Sequence, residues 1–375
     1  MTAQPSRIGI SSLCLLAILF FQLPLFASCP VFPGATLVVR APAGNLMVDT
    51  TGTDAVDVQV NSPQVQVQET CGRDRIEITS NTPAQGQNAI QWKITAPKAI
   101  NLDVVAYAGS ITAGDSDGNV TLRSTGGPII VGQIKGRAAI ITQGGLIKSG
   151  NIGGDAELRS QGGSLEVGNV AGNAELETGV GPIRAGIIGG RTRAETAGGS
   201  ITIAESRGEL LATAVGGTVS IGEAGRINAK ADGGITGRRV RGPFQGQTQE
   251  GDIRLDSAGS WVEASTGFGN IVVKLVPENL EGDLHVNLET GVGDVTVYLP
   301  QRMKATVEAT VERPAFEAQR IFSDFPGVTA PGPARRGSAL APRVQTPSRS
   351  QTIVNGGGNP VRLHTSLGKI EIRKQ

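Results

Sequence analysis

The chain carries few side chains of the kinds that bind metals or perform acid–base chemistry. Its 375 residues include two histidines and three cysteines, and one acidic group has the spacing of metal ligands: Asp115, Asp117 and Asn119. Alternating oxygen-bearing side chains of this kind begin a calcium loop, but that loop ends in a glutamate at its twelfth position, where this chain has Gly126. We therefore predict no metal site, and these three residues are the single calcium candidate.

Motifs of enzymatic catalysis are also scarce. The chain has no phosphate-binding GxxxxGK[ST] loop, no HExxH pair and no CxxC pair. The two histidines, His285 and His364, are far apart in sequence, and we expect both on strand surfaces rather than in a catalytic centre. The sequence predicts a protein that is not an enzyme, with no catalytic residue and no cofactor.

The cysteines leave two interpretations open. Cys14 lies in an N-terminal segment that we expect to be removed, so Cys29 and Cys71 remain. A Cys29–Cys71 disulfide suits an exported protein and would stabilise it by about 3–4 kcal/mol. Alternatively, Phe26-Ala27-Ser28-Cys29 is similar to a bacterial lipobox, although Phe26 stands where leucine is usual. In that case Cys29 would carry lipid, which would be the only contact of the protein with a membrane.

Residues 1–27 have the features of a secretory signal peptide. Arg7 supplies a basic start, Ile8 to Phe21 form a short apolar run, and Ala27 is a small residue at the exit. The run is shorter than the roughly 20 residues of a spanning helix. The sequence therefore predicts export to the periplasm, outer membrane or cell surface of a bacterium.

Glycines recur at a fixed period of 18 through the middle of the chain. They are Gly109, Gly127, Gly145, Gly163, Gly181, Gly199 and Gly217. Each unit contains two short runs in which apolar residues alternate, as in a strand, and stacked units would bury these residues as continuous columns. The predicted fold class is all-β, a parallel β-solenoid of about ten 18-residue coils, with two strands per coil and an N-terminal β capping module.

A column of hydroxyl side chains accompanies the glycines. It consists of Ser124, Thr142, Ser160, Thr178 and Thr196. We expect these hydroxyls to satisfy backbone groups at a corner of each unit.

The repeat and its flanks divide the chain into five segments. We predict a signal peptide at 1–27, a β module that caps the solenoid at 28–106, and the glycine-rich solenoid at 107–300. An irregular excursion rich in proline and arginine follows at 301–350, and residues 351–375 return as closing strands that dock as a final coil.

The charge balance excludes one class of partner. The chain has 34 basic and 33 acidic residues, a net charge of +1. A nucleic-acid-binding protein would show a basic excess, so we predict no nucleic-acid partner.

Several phrases repeat a glycine, a variable residue and an aliphatic residue. They are Gly109–Gly114, Gly251–Leu255, Gly293–Val297 and, near the end, Asn355–Leu363. In these phrases the chain resembles the bacterial putative adhesin family, a domain of unknown function (4097) with a Gly-rich G-x-I-x-x-G repeat, over about residues 34–375. The resemblance implies a repeat fold and a role in adhesion, and it brings no catalytic or binding residue with it.

Three functions remain open. The first is a non-enzymatic envelope or cell-surface protein, a rigid scaffold for adhesion or for binding a protein or glycan partner. The second is a polysaccharide-acting β-helix enzyme, whose acidic residues would include Asp252 or Asp256. The third is an envelope scaffold that assembles end to end.

Overall fold

The computed structural model describes residues 28–52, 54–80, 90–313, 320–328 and 348–375. In these ranges the chain forms 32 strands, joined in one sheet that winds nearly closed around a buried core, and no helix. The predicted all-β class is therefore confirmed. A helix able to cross a membrane is accordingly not found within the same ranges. The predicted signal peptide and the parts of the excursion at 314–319 and 329–347 lie outside the described residues.

The strands are short in the repeat and longer where it loosens. The first eighteen are Cys29–Pro30 (β1), Thr36–Ala41 (β2), Asn45–Gly52 (β3), Ala55–Val60 (β4), Val67–Cys71 (β5), Arg75–Ser80 (β6), Gln91–Pro97 (β7), Asn101–Ala106 (β8), Ile111–Ala113 (β9), Val120–Ser124 (β10), Ile129–Val131 (β11), Ala138–Thr142 (β12), Ile147–Ser149 (β13), Ala156–Ser160 (β14), Leu165–Val167 (β15), Ala174–Thr178 (β16), Ile183–Ile188 (β17) and Thr192–Thr196 (β18). The rest are Ile201–Ala214 (β19), Val219–Ala231 (β20), Ile235–Val240 (β21), Phe244–Thr248 (β22), Ile253–Ala258 (β23), Val262–Phe268 (β24), Ile271–Leu275 (β25), Val286–Val292 (β26), Val295–Leu299 (β27), Ala305–Val311 (β28), Ile321–Ser323 (β29), Ser348–Val354 (β30), Asn359–Leu367 (β31) and Ile370–Lys374 (β32).

Two ladders of parallel strands run through the repeat. Ladder A contains β9, β11, β13, β15 and β17, the first parts of β19 and β20, and then β21, β23, β25 and β27. Ladder B contains β8, β10, β12, β14, β16 and β18, the second parts of β19 and β20, and then β22, β24 and β26. Up to β19, each residue pairs with the equivalent residue of the next unit, as Ile129 does with Ile147. Between β24 and β26 the partners lie farther apart along the chain, since Val262 pairs with Val286.

A third column of contacts lies between the two ladders. Ser116, Ile134, Ile152, Val170 and Ile188 form parallel bridges one unit apart. The expectation of two strands per unit was therefore incomplete. The eighth position of the repeat is aliphatic and buried in most units, and it pairs with the same position in the next unit.

The chain changes order at both ends of the ladders. At the N-terminal end, β2 lies between β6 and β8, and β3 lies between β7 and β9, so β6 and β7 are outermost. Antiparallel strands cover this end, because β5 pairs with β6 and β4 pairs with β7.

The C-terminal end is built in the same way. Strand β31 lies between β26 and β28, and β32 lies between β27 and β29. Antiparallel β30 covers β28. The prediction that the closing strands form the final coil was wrong, since β28 and β29 lie beyond them. Residues 301–350, predicted to be irregular, supply β28, β29 and the start of β30.

The hydroxyl column satisfies backbone groups, which confirms that prediction. Thr142 is 1% exposed, and its Oγ1 donates to the Gly127 carbonyl oxygen at 2.9 Å and accepts the Gly145 N–H at 3.3 Å. Ser160 makes the same two contacts one unit further on, at 2.9 Å each. Each hydroxyl therefore joins the glycine that begins its own unit to the glycine that begins the next unit.

Replacing a hydroxyl of this column should destabilise the protein. We expect Thr142→Val to lower the free energy of unfolding by about 1–3 kcal/mol, because the buried partners of the hydroxyl lose a hydrogen bond. The control is Thr121→Val, at an outward position of β10 whose side chain makes no hydrogen bond among the described residues, with an expected change within about 0.5 kcal/mol. Urea unfolding followed by circular dichroism measures both, and equal losses would contradict the assignment.

Candidate functional site: the outer face of ladder B

Ladder B, which β31 and β28 continue beyond β26, presents two outward columns of side chains along the molecule. Side chains alternate along a strand, so in β16 Ala174, Leu176 and Thr178 are buried, whereas Glu175 and Glu177 point outward. The first column is Thr121, Ala139, Glu157, Glu175, Arg193, Leu211, Asn228, Gln245, Glu263, Asn287, Arg362 and Glu308. The second is Arg123, Ile141, Arg159, Glu177, Glu195, Thr213, Lys230, Gln247, Ser265, Glu289, His364 and Thr310.

A groove of about 440 Å³ lies on this face over β12 to β18, and we call it the ionic groove. Its charged lining residues are Arg137, Asp155, Glu157, Glu175, Arg191 and Arg193. All of them have ion-pair partners: Arg137 with Asp155 at 2.9 Å, Glu157 and Glu175 with Arg159 at 3.1 and 2.8 Å, Arg191 with Glu209 at 3.2 Å, and Arg193 with Glu195 at 2.9 Å. The polar groups of this groove are thus satisfied by the protein itself.

A second groove of about 350 Å³ lies further along the same face, over β20 to β26, and we call it the amide groove. Its polar lining includes Asn228, Lys230, Gln245, Gln247, Glu263, Asn287 and Glu289. Amides dominate here, in place of the alternating charges of the ionic groove.

The first column of the amide groove is internally connected. Asn228 Nδ2 donates to Gln245 Oε1 at 3.1 Å, and Gln245 Nε2 donates to Glu263 Oε2 at 3.3 Å. Four other lining side chains have no hydrogen bond or ion pair with any residue that the structure describes. They are Lys230, Gln247, Asn287 and Glu289.

An aromatic pair stands at the rim of the amide groove. The rings of Trp261 and His285 stack with centroids 5.0 Å apart and planes 13° from parallel. His285 Nδ1 lies 2.7 Å from Asp283 Oδ1, and Nε2 lies 3.6 Å from Glu263 Oε1. The hydrogen bond with His285 holds the pKa of Asp283 below its usual range. His285 thus contacts Trp261, Asp283 and Glu263, and through Glu263 it lies beside the amide groove.

The other histidine lies on the same face, at the C-terminal end of the second outward column. His364 Nε2 is 3.4 Å from Glu312 Oε1. His364 lies on the surface of β31, as predicted, whereas His285 lies one residue before β26, and the lack of a catalytic role for both stays a prediction.

The acidic residues of the calcium candidate have partners within the protein. Asp115 Oδ1 accepts the Gln133 N–H at 2.8 Å, and Oδ2 lies 3.1 Å from Lys98 Nζ. The first of these contacts, with help from Lys98, lowers the pKa of Asp115. Asp117 pairs with Lys135 at 3.0 Å. Both carboxylates thus have partners within the protein, and the described residues hold no group of three or more His, Cys, Asp or Glu side chains that could share a metal ion.

Asn119, the third calcium candidate, belongs to a ladder of asparagine and aspartate side chains. Its Oδ1 accepts the Arg137 N–H at 2.9 Å, and its own N–H donates to Asn101 Oδ1 at 2.8 Å, each step spanning 18 residues. Asp155 Oδ1 likewise accepts the Asn173 N–H at 2.9 Å. This hydrogen bond, together with the one from Arg137, lowers the pKa of Asp155. The sequence analysis missed this ladder, although asparagine and aspartate recur there at the period of the repeat.

Residues Gly114–Gly118 also spell G-x-S-x-G, the pattern of a serine nucleophile, which the sequence analysis overlooked. Ser116 is 1% exposed and forms part of the third column. Its hydroxyl donates to the Ile100 carbonyl oxygen at 3.3 Å and accepts the Gly118 N–H at 3.2 Å. This serine therefore has a structural role at a corner.

Cys29 and Cys71 form a disulfide that joins β1 to the end of β5. Their Cα atoms are 5.4 Å apart, within the usual range. Cys29 is 1% exposed and packs in the core, whereas Cys71 is exposed.

Comparison with known proteins gives distant structural similarity only. No family model and no curated protein matches the chain. The structure of a putative cell adhesion protein from Clostridium sporogenes aligns over 93% of this chain and 98% of its own, with 11% identity and a TM-score of 0.18. A putative adhesin from Bacteroides fragilis aligns over 72% of this chain and 94% of its own, with 16% identity and a TM-score of 0.23. At these values neither similarity carries a family or a function across to this chain.

Proposed function

We propose that the protein is a non-enzymatic, exported protein of a bacterial envelope or cell surface, a rigid β-solenoid scaffold that holds a binding face toward an adhesion partner. The observation that carries the proposal is the outer face of ladder B, a grooved polar surface that runs along the molecule and is fixed by strand pairing. A surface of this kind suits a partner that is itself extended.

The solenoid, with its ten or so coils, is supported by the spacing of the pairings. Both ladders and the third column repeat once per unit through the centre of the chain, as in Leu122 with Ile140 and Ile134 with Ile152. Because each unit packs mainly on its neighbours, the ladders form a stiff array along one continuous core.

The surroundings of Asp252 and Asp256, the acidic residues considered for a polysaccharide-cleaving enzyme, favour a scaffold over an enzyme. Asp252 Oδ1 accepts the Asn270 N–H at 2.7 Å, and Asn270 Oδ1 accepts the Asp294 N–H at 2.9 Å, so Asp252 begins a second column of such contacts, at the start of the ladder A strands. Asp256 lies 2.9 Å from Arg254 Nε. Each residue thus has a structural partner, and neither is part of a groove described above.

A single rod is favoured over end-to-end assembly by the strands at the ends. Another molecule could extend the ladders by adding parallel strands to the outermost strands β6, β7, β28 and β29. Antiparallel β5, β4 and β30 occupy the outer edges of β6, β7 and β28, so within the described residues only the three-residue β29 keeps an uncovered edge. Such strands are a common means of protecting the edges of a sheet.

Fractionation and adhesion measurements test the proposal. In the first experiment, cells producing the full chain are fractionated beside cells producing a chain that lacks residues 2–27. In the second, the exported protein is coupled to beads, and the beads are mixed with bacterial envelope fragments. We expect only the full chain outside the cytoplasm, and we expect beads to adhere when they carry native but not heat-denatured protein. Cytoplasmic retention of the full chain, absence of adhesion, or release of sugars from the fragments would contradict the proposal.

A further inference from the structure

We propose that the amide groove binds a neutral oligosaccharide, so that the adhesion partner is a glycan held across β20, β22, β24 and β26. This inference rests on the proposed function and gives its binding face a ligand class. It is carried by the difference between the two grooves on this face. The charged side chains of the ionic groove pair with other residues of the protein, whereas several polar side chains of the amide groove have no such partner.

Unpartnered side chains mark the amide groove. In the ionic groove every charged lining side chain has an ion-pair partner at 3.2 Å or less. In the amide groove, the side chains of Gln247 and Asn287 each keep a free donor and a free acceptor, since neither side chain makes a hydrogen bond with a residue that the structure describes. Lys230 and Glu289 beside them are equally free of partners among the described residues. These groups are available to a ligand without breaking a contact of the protein.

The chemistry of the lining matches sugar hydroxyls. An amide offers both an N–H donor and a carbonyl acceptor, and a hydroxyl group needs both. Glu263 and Glu289 add acceptors, and Lys230 adds a donor. With two carboxylates against one ammonium, the groove has a local charge of about −1, which disfavours acidic polysaccharides and phosphate-bearing polymers.

The shape and composition favour a glycan over a protein. The backbone of Ala229, Gly246 and Ala264 forms the floor between the two outward columns, and the side chains of the two alanines face the core. Neighbouring strands are about 4.8 Å apart, so the four strands span about 14 Å, enough for a short oligosaccharide. The cores of protein interfaces are rich in aromatic and apolar side chains, whereas the residues that line this groove are polar or small, and the Trp261–His285 pair lies beside them rather than among them.

Binding of defined tetrasaccharides to the full exported protein tests the inference. The probes are cellotetraose, maltotetraose, mannotetraose and N-acetylated chitotetraose, with tetragalacturonate as the acidic counterpart, each titrated by isothermal calorimetry. We expect at least one neutral probe to bind with a Kd of about 1 mM or tighter. The acidic probe should bind more weakly than that one.

Matched variants place the ligand in the groove. The double variant Gln247→Ala/Asn287→Ala should weaken binding by about tenfold or more, because it removes hydrogen-bonding groups that have no role in the fold. Glu157→Gln in the ionic groove should leave the affinity unchanged. Circular dichroism and the melting temperature should be the same for all three proteins, which separates loss of binding from loss of structure.

The outcomes distinguish this inference from the proposed function. Failure of every neutral probe, tighter binding of tetragalacturonate, or equal affinity of the double variant and the unmodified protein would overturn the glycan site. If beads carrying the double variant still adhered to envelope fragments as well as the unmodified protein, the adhesive function would stand and the groove would not be its site. If tetrasaccharides bound to the protein but the beads did not adhere, the glycan site would stand and the adhesive function would not.

Discussion

Gly163→Ala is expected to disrupt the fold, whereas Gly162→Ala, one residue earlier, should leave it intact. A Cβ atom at Gly163 would lie 2.0 Å from the carbonyl oxygen of Gly145 and 2.3 Å from its carbonyl carbon. Both atoms belong to the backbone of the preceding unit, which strand pairing on either side holds at a fixed distance. At Gly162 the nearest atom to a Cβ would be 3.6 Å away, an ordinary contact.

The two glycines separate crowding from conformational freedom. Neither has a φ in the left-handed region, so alanine can adopt the backbone angles at both positions. The difference between the variants therefore reports the close approach of stacked units alone. The same close approach recurs at Gly127, Gly145 and Gly181. A Cβ atom at each would lie 2.0 to 2.3 Å from the carbonyl oxygen of the glycine one unit before, which explains the glycine column of the sequence.

The expected size follows from overpacking a rigid backbone. We expect Gly163→Ala to lower the free energy of unfolding by about 3 kcal/mol or more. Gly162→Ala should change the free energy of unfolding by less than about 1 kcal/mol. The change should be stabilising, because alanine reduces the conformational freedom of the unfolded chain. Urea unfolding of the two variants and the unmodified protein measures this difference. Similar losses for both would show that the units are not stacked as tightly as described.

The local pattern of the sequence predicted the interior of the fold well. Alternation of apolar residues gave the strands, the period of the repeat gave the partners of Ile129 and Leu122, and the column containing Thr142 gave the corner hydrogen bonds. These features are readable because each depends on contacts that recur at a fixed distance along the chain.

The ends and the amide groove could not be predicted in this way. The alternation in Thr36–Ala41 is the same whether that strand lies beside β6 or beside β8, and the structure places it between them. The amide groove could not be recognised in the sequence because the number of residues between paired strand positions changes in the part of the chain that forms it. Asn228 pairs with Gln245, which is nearer along the chain than the repeat requires, and Glu263 pairs with Asn287, which is farther. A search at the fixed period of the repeat therefore does not bring these amides into one column.

Loss of the disulfide should weaken the N-terminal module and leave the central ladders unchanged. Cys29 and Cys71 are 42 residues apart, and closing a loop of that length stabilises a protein by about 4 kcal/mol in the chain-entropy description. Cys71→Ala isolates this effect, because Cys71 is exposed, whereas Cys29 is buried and its replacement would also leave a cavity. Reduction of the unmodified protein should have the same effect as Cys71→Ala.

Hydrogen exchange locates the loss, and an intact mass decides the chemistry of Cys29. We expect Cys71→Ala to speed amide exchange in β2 to β5, which lie within the closed loop, and not in β11 to β16, which serve as the internal control. The exported protein should begin at Ser28 or beyond and weigh two hydrogens less than its reduced form. A mass that includes acyl chains on Cys29 would contradict the disulfide and support the lipid anchor. In that case Cys71 would be a free, exposed thiol, and Cys71→Ala would leave both the stability and the exchange of β2 to β5 unchanged.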